Sequence, residues 1–322
     1  MQGRSDEKIN DIFADMKSTG KLKLFASLLS LFFIATALYA QDEETDDAGV
    51  SYKGAKGFHI GFYLGGFFPN KNSSVIYNGY GYDGYGNRNE FSTSYAYRRI
   101  VLENDPNTGN VDRIATELGV VNHEDWRFDE TDMPTNLKYK TAFLIGLALN
   151  YGLDKKQSLI ANMNFAKLNV IGNFTIETRN STNQQLQGWI NNQFAIVGGE
   201  QRLMIQLGYS RILGDNEKAN FFIEAGLCLN NAKFEKNFMQ INNLKLDLTY
   251  FDQNTIGGSS IYVENYTGWG FGGFAGFGLN LTMNPKYTLQ VFYTPSYEKV
   301  NLGPEPTTAL QHAVGLRAYY NF

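Results

Sequence analysis

The chain of 322 residues has one cysteine, three histidines and a charged fraction of only 19%. A single cysteine, Cys228, excludes an internal disulfide and any zinc site built on thiolates. The charged fraction falls below the roughly 25% of an average soluble domain. With a net charge of −4, the chain also has no basic stripe to offer nucleic acid. Long apolar runs are scarce. The one present lies in KLKLFASLLSLFFIATALYA, Lys21 to Ala40, where about fifteen apolar residues follow a basic start. That is shorter than the ~20 residues a spanning helix needs, which argues against an uncleaved helical anchor.

Basic start, apolar run and a small-residue exit at Ala40 together read as a secretory signal. Met16-Lys17 is a typical start for such a signal, so residues 16–40 are the expected signal peptide and residues 1–15 an extension ahead of it. Cleavage after Ala40 removes five bases and four acids, leaving a net charge of −5. A lipid-modified N-terminus would need a cysteine just after the cut, and Cys228 is far away. The following QDEETDDAGVSYKG carries five acids in its first seven residues and no apolar period. Residues 41–55 are therefore expected to be a solvated acidic tail on the periplasmic side.

In place of charge, the chain has 15% aromatics, 33 glycines and many amides, and its mean hydropathy is −0.32. The last thirteen residues, LQHAVGLRAYYNF, show the use of that composition. Leu310, His312, Val314, Leu316, Ala318, Tyr320 and Phe322 alternate with Gln311, Ala313, Gly315, Arg317, Tyr319 and Asn321. A period of two means a strand with one apolar face and one face of small or polar groups.

Seven further runs behave alike. GFHIGFYLGGFF sets Phe58, Ile60, Phe62, Leu64 and Phe68 against His59, Gly61, Tyr63 and Gly65. Residues 136–152 set Tyr139, Phe143, Ile145, Leu147, Leu149 and Tyr151 against Lys140, Leu144, Gly146, Ala148 and Asn150. The third run shows Leu159, Ala161, Met163 and Phe165 and then changes parity to Leu168 and Val170, which predicts a bulge near Ala166-Lys167. The fourth shows Leu203, Ile205, Leu207 and Tyr209; the fifth sets Phe221, Ile223, Ala225, Leu227 and Leu229 against Phe222, Glu224, Gly226, Cys228 and Asn230. GWGFGGFAGFGLNL and the run from Tyr287 to Thr294 are the sixth and seventh.

Connections after the second, fourth and sixth runs are short, whereas the others cover about 69–135, 179–199, 235–267 and 300–308. Strict alternation of short turns and long loops over an even number of strands predicts an all-β fold: an eight-stranded antiparallel up-and-down transmembrane β-barrel over residues 56–322. Hydrocarbon supplies no hydrogen bonds, so a sheet can cross it only when closed on itself. Outward residues then meet outer-membrane lipid, and eight strands leave a lumen only wide enough to be filled by side chains.

Signal, alternating runs, long loops and the aromatic C-terminus together resemble the Bacteroidota outer-membrane β-barrel family related to the PorT-like proteins, over about residues 55–322. The resemblance implies a cell-envelope or secretion-accessory role without fixing a substrate. It also implies that the barrel-assembly machinery reads the last strand, with Leu316, Tyr320 and Phe322 as the insertion signal.

Several residues stand out against this frame. Glu224 and Arg317 share inward parity, and an unpaired charge in a filled lumen is costly, so the two are expected to pair. Tyr77, Tyr80, Tyr82 and Tyr85, spaced by Gly and Asn in the first loop, could press an exposed surface against a glycan or an envelope protein, or form an inert loop. NVDRIATELG suggests a short helix capped by Asn110, with Val111, Ile114 and Leu118 on one side. HEDWRFDETD gathers carboxylates from His123 onward but lacks the spacing and Gly of an EF-hand loop, so no specific metal site is expected. Gly268, Gly270 and Gly273 match G-x-G-x-x-G without the strand-to-helix context a dinucleotide needs, and no cofactor is expected. His59 points inward and His312 outward; G-x-S-x-G is absent, so catalysis is not expected. The sequence favours surface interaction or envelope assembly through the loops, with a narrow channel or a lipid-modifying hydrolase using His312 as alternatives.

Overall fold

A computed structural model describes residues 57–83, 85–102, 110–121, 123–179, 188–216, 218–252, 261–263, 266–284 and 286–321. The expected signal, acidic tail and Phe322 lie outside them. Eight long strands follow in chain order: β1 Gly57–Phe68, β2 Ala142–Gly152, β3 Gln157–Thr178, β4 Ile190–Leu213, β5 Ala219–Ile241, β6 Thr267–Asn284, β7 Tyr287–Val300 and β8 Thr307–Asn321. Each pairs antiparallel with the next, and β8 returns to pair with β1. The sheet is a closed eight-stranded barrel, which leaves its staves no free edge.

Alternation of side chains makes the two faces. Phe62, Phe143, Leu227, Phe271 and Phe277 are among the large apolar residues left exposed on the outer wall, Phe62 at 72% and Leu227 at 73%. Such a band could not persist in water, and it fits the hydrocarbon-facing belt of a membrane barrel. Inside, Tyr63, Phe67, Leu144, Leu168, Met204, Phe222 and Phe292 pack into one cluster that fills the lumen.

β3, β4 and β5 run to 22, 24 and 23 residues, about twice the 9–11 that a bilayer crossing takes. Their loop-side halves extend past the belt. This corrects the loop ranges expected at 179–199 and 235–267, because β4 already starts at Ile190 and β5 continues to Ile241 before turning into a short strand, Leu244–Asp247. Inward Phe174, Ile176, Ile196, Met239 and Ile241 of this overhang form a second core with Tyr95, Ile100, Ile114, Trp126 and Phe128 of the first loop. That loop is a folded cap. Its helix α1, Asn110–Leu118, buries Ile114 and Ala115, packs Val111 and Leu118 against the same core, and includes Asn110 as its first residue rather than as a preceding cap.

The expected bulge at Ala166-Lys167 is absent: β3 pairs with β4 in one unbroken register from Gln157 to Thr178. Leu168 and Val170 are simply inward and buried. The irregularities fall elsewhere. Lys138–Tyr139 pairs with β3 one place out of step with β2, so the extra residue lies at Lys140-Thr141. That slip turns Tyr139 inward and Lys140 outward, reversing their expected parity. A second bulge puts Glu235 of β5 between the pairs Glu200–Phe234 and Gly199–Lys236.

Candidate functional site

The chemistry of the barrel is concentrated in its lumen. Arg317 of β8 and Glu224 of β5, both buried, meet in a forked pair with Nη1–Oε2 at 2.6 Å and Nη2–Oε1 at 2.7 Å. Thr294 donates to Glu224 Oε1 at 3.1 Å, and the Arg317 guanidinium lies 4.4 Å from the Phe292 ring centre and 5.1 Å from that of Tyr63. Two parallel charge-assisted bonds fix both geometry and partner. Gly276 on neighbouring β6 makes the room: a Cβ there would stand 2.6 Å from Glu224 Oε1.

Further toward the loop end of β7, Glu298 is buried and accepts from Asn230 Nδ2 at 3.0 Å and from the Cys228 thiol at 3.1 Å. A second buried ion pair closes the loop-side mouth. Arg202 Nε lies 2.6 Å from Glu200 Oε1, while Glu200 Oε2 accepts from the Tyr77 and Tyr139 hydroxyls at 2.9 and 3.0 Å. Arg202 Nη2 donates to Ser73 Oγ at 3.0 Å. Ser73 and Tyr77 belong to the 3-10 turn Lys71–Tyr77, which descends from β1 and plugs the barrel. The Tyr77 ring fits where Gly198 has no side chain. Burial, followed by the Glu200 carboxylate, pushes the Tyr77 phenol well above its ordinary value, keeping it a proton donor.

At the opposite end a polar cavity of about 360 Å³ opens between the short turns, with His59, Asn150, Ser210, Asn280 and Tyr319 in its lining. His59 Nδ1 and the Tyr319 hydroxyl have no hydrogen-bond partner there.

The loop tyrosines do not form the surface their spacing suggested. Tyr77 and Tyr82 are buried, Tyr80 is half-buried under Arg88, and Tyr85 alone stands free at 95% exposure. The apolar bodies of Tyr77 and Tyr82 pack with Phe234 and Ile76 against the overhang, a burial that loop composition does not signal. Two of the carboxylates after His123 are likewise engaged inside the fold. Asp125 is buried 3.4 Å from Arg179 Nε, and Asp132 accepts from the Asp129 backbone at 2.8 Å and from Thr175. Among the described residues no group of three or more His, Cys, Asp or Glu is placed to hold a metal.

His312 faces outward, 2.8 Å from the Tyr293 hydroxyl and paired across strands with Pro295 and Phe68. Gly268, Gly270 and Gly273 lie within β6, and among the described residues no helix follows them. Leu316 and Tyr320 are outward and exposed on β8. Sequence reading missed Glu200, Arg202 and Glu298. Extending the inward parity of β4 back from Met204 through Arg202 to Glu200, and of β7 past Thr294 to Glu298, would have found all three.

No family model matches the sequence, and no curated protein matches it. Solved structures of outer-membrane barrels are similar to it. Neisserial surface protein A is 9% identical over 85% of this chain and 100% of its own, with a TM-score of 0.37. OprG of Pseudomonas aeruginosa is 12% identical over 84% and 99%, with a TM-score of 0.34. Ail of Yersinia pestis is 12% identical over 83% and 99%, with a TM-score of 0.32. The closed sheet and its apolar belt identify the chain as an eight-stranded outer-membrane β-barrel.

Proposed function

We propose that this barrel is a surface-interaction or envelope-assembly component that works through its loop-side cap, and that the loop end faces outside the cell. One observation carries this reading: the strands continue beyond the belt to hold an apolar-cored cap, while Arg317, Phe292, Tyr63 and Phe67 fill the lumen below. A folded cap has fixed outer contours that a partner protein or glycan could recognise, and a filled lumen leaves ordinary solutes no path. The PorT-like resemblance would make the partner a secretion or envelope component, with the barrel-assembly machinery engaging β8 during insertion.

The narrow channel is supported by the turn-end cavity, which opens half of a route. Planar-bilayer recordings separate the two readings. A silent barrel is expected, and steady single-channel openings would make conduction the function. Crosslinking in native outer membrane then reads the cap: an envelope component should be captured by the wild type and lost on Ile114→Asp, which breaks the cap core and leaves the staves intact. Capture unchanged in that variant, with its cap shown open to protease, would refute a cap-borne role.

A further inference from the structure

On the outer wall of β2 to β5, the apolar belt gives way to lysine within one step of the strand. After outward Phe165 comes Lys167, whose pairing runs through Gln201 of β4 to Lys233 of β5. One row further, Lys140 donates its backbone N–H to the Asn169 carbonyl at 2.8 Å. Asn169 pairs with Gly199, and Gly199 pairs with Lys236. Lys138 stands opposite Ile171. Five lysines, spread over four neighbouring strand positions of which β4 supplies none, span about 14 Å at the usual strand spacing and stand over exposed Phe143, Phe165 and Trp269.

Gly199 shapes the middle of the band. With no side chain there, the Lys236 stem lies over the β4 backbone, its Cε 2.8 Å from where a Cβ would be. One carboxylate stands inside the band: Glu235, pushed out by its bulge and held by Lys167 Nζ at 3.1 Å and by Gln201. The charge is concentrated on this wall, although exposed Lys71 follows β1 on the other side. Near their loop ends β1, β7 and β8 present Phe68, Tyr297 and Leu310 outward, with Lys299 alone among them.

Ammonium groups bordering an apolar belt lie at the depth of lipid phosphates, where each adds attraction. We propose that this band binds the phosphates of a lipid A-type glycolipid whose acyl chains lie along the belt beneath. The choice of glycolipid rests on the reading that the loop end faces outside, the leaflet that carries it.

Native mass spectrometry of the full chain in detergent tests this directly, using bisphosphoryl lipid A, its dephosphorylated form and phosphatidylglycerol as probes. Bisphosphoryl lipid A should be retained best, and raising salt should weaken it. The combined variant Lys167→Gln, Lys233→Gln, Lys236→Gln should lower its apparent affinity by about tenfold or more. The turn-end variant Lys155→Gln, Lys156→Gln, Lys286→Gln should leave it unchanged. Equal retention of the dephosphorylated form, an unaffected band variant or salt-insensitive binding by the wild type would each overturn the site. Preference for phosphatidylglycerol would overturn the glycolipid. Binding in detergent is independent of conduction, so a barrel that conducts and still retains lipid A would sink the proposed function and leave this site standing.

Discussion

The two halves of β3 share one backbone and obey opposite rules. From Leu159 to Ala166 the outward positions are apolar and the inward ones include Asn162, Asn164 and Ala166; from Lys167 on, the outward positions include Lys167, Asn169, Asn173 and Glu177, and the inward ones are Leu168, Val170, Gly172, Phe174 and Ile176. No bulge lies between them. What changes is the solvent outside the wall. Against hydrocarbon, apolar side chains go out and polar groups must find partners within; against water, the same strand reverts to an ordinary half-buried sheet over an apolar core. The lysine band marks the line between these regimes.

The largest test of the comparison is in the belt half. Arg317→Leu leaves Glu224 buried without its cation, which should cost about 3–5 kcal/mol and lower the heat-modifiability temperature. Adding Glu224→Leu should recover much of that loss, because an apolar pair of similar volume removes both desolvation costs. If the single variant unfolds at the wild-type temperature, the pair does not hold the belt half together.

In the overhang half, Tyr77→Ala removes a buried ring and the hydroxyl that bonds Glu200 and the Gly199 carbonyl, at a cost of about 3 kcal/mol to cap docking. The damage should stay local. Limited proteolysis should open residues 69–135 while the barrel keeps its heat-modified shift; a cap as resistant as the wild type would show that the plug is dispensable. The inversion itself is read by one charge placed twice on the outer face of β3. Phe165→Lys should cost up to about 2–4 kcal/mol, less if it lies near the interface, whereas Asn173→Lys should cost close to nothing. Equal urea sensitivity of the two variants would mean that no change of solvent occurs along the strand.

The same change of solvent decided how much was legible in the sequence. Eight strands, their order and the inward parity of Glu224 and Arg317 could be read because lipid imposes one rule on every stave. At Leu168 that rule ceases, and an unchanged backbone then looks like a bulge. Tyr139 and Lys140 were misassigned for the converse reason: a real slip at Lys140-Thr141 leaves no mark in composition. Tyr77 looks exposed among Gly and Asn, and only the bare backbone of distant Gly198 reveals its seat. The cap was visible as helix α1 alone, since its core is shared with strands far along the chain.

The smallest expected effect lies on the cap rim, in water altogether. Asp83 Oδ1 accepts from the Tyr85 and Asn87 backbones at 2.9 and 2.8 Å, and Oδ2 accepts from Asn87 Nδ2 at 3.0 Å. These bonds, the Asn87 side chain first, hold the Asp83 carboxyl below the usual carboxylate range. A depressed value in the folded turn means the contribution is complete above the ordinary carboxylate range and disappears as pH falls through the lowered one. Amide exchange at Tyr85 and Asn87 should therefore gain protection from the carboxylate at neutral pH and lose it in strong acid, after correction for intrinsic rates. Asp83→Asn should show weakened protection at every pH. Because the group is exposed, the barrel's own unfolding should ignore this titration, and a matching acid shift in heat modifiability would show that the rim and the belt are coupled rather than separate regimes.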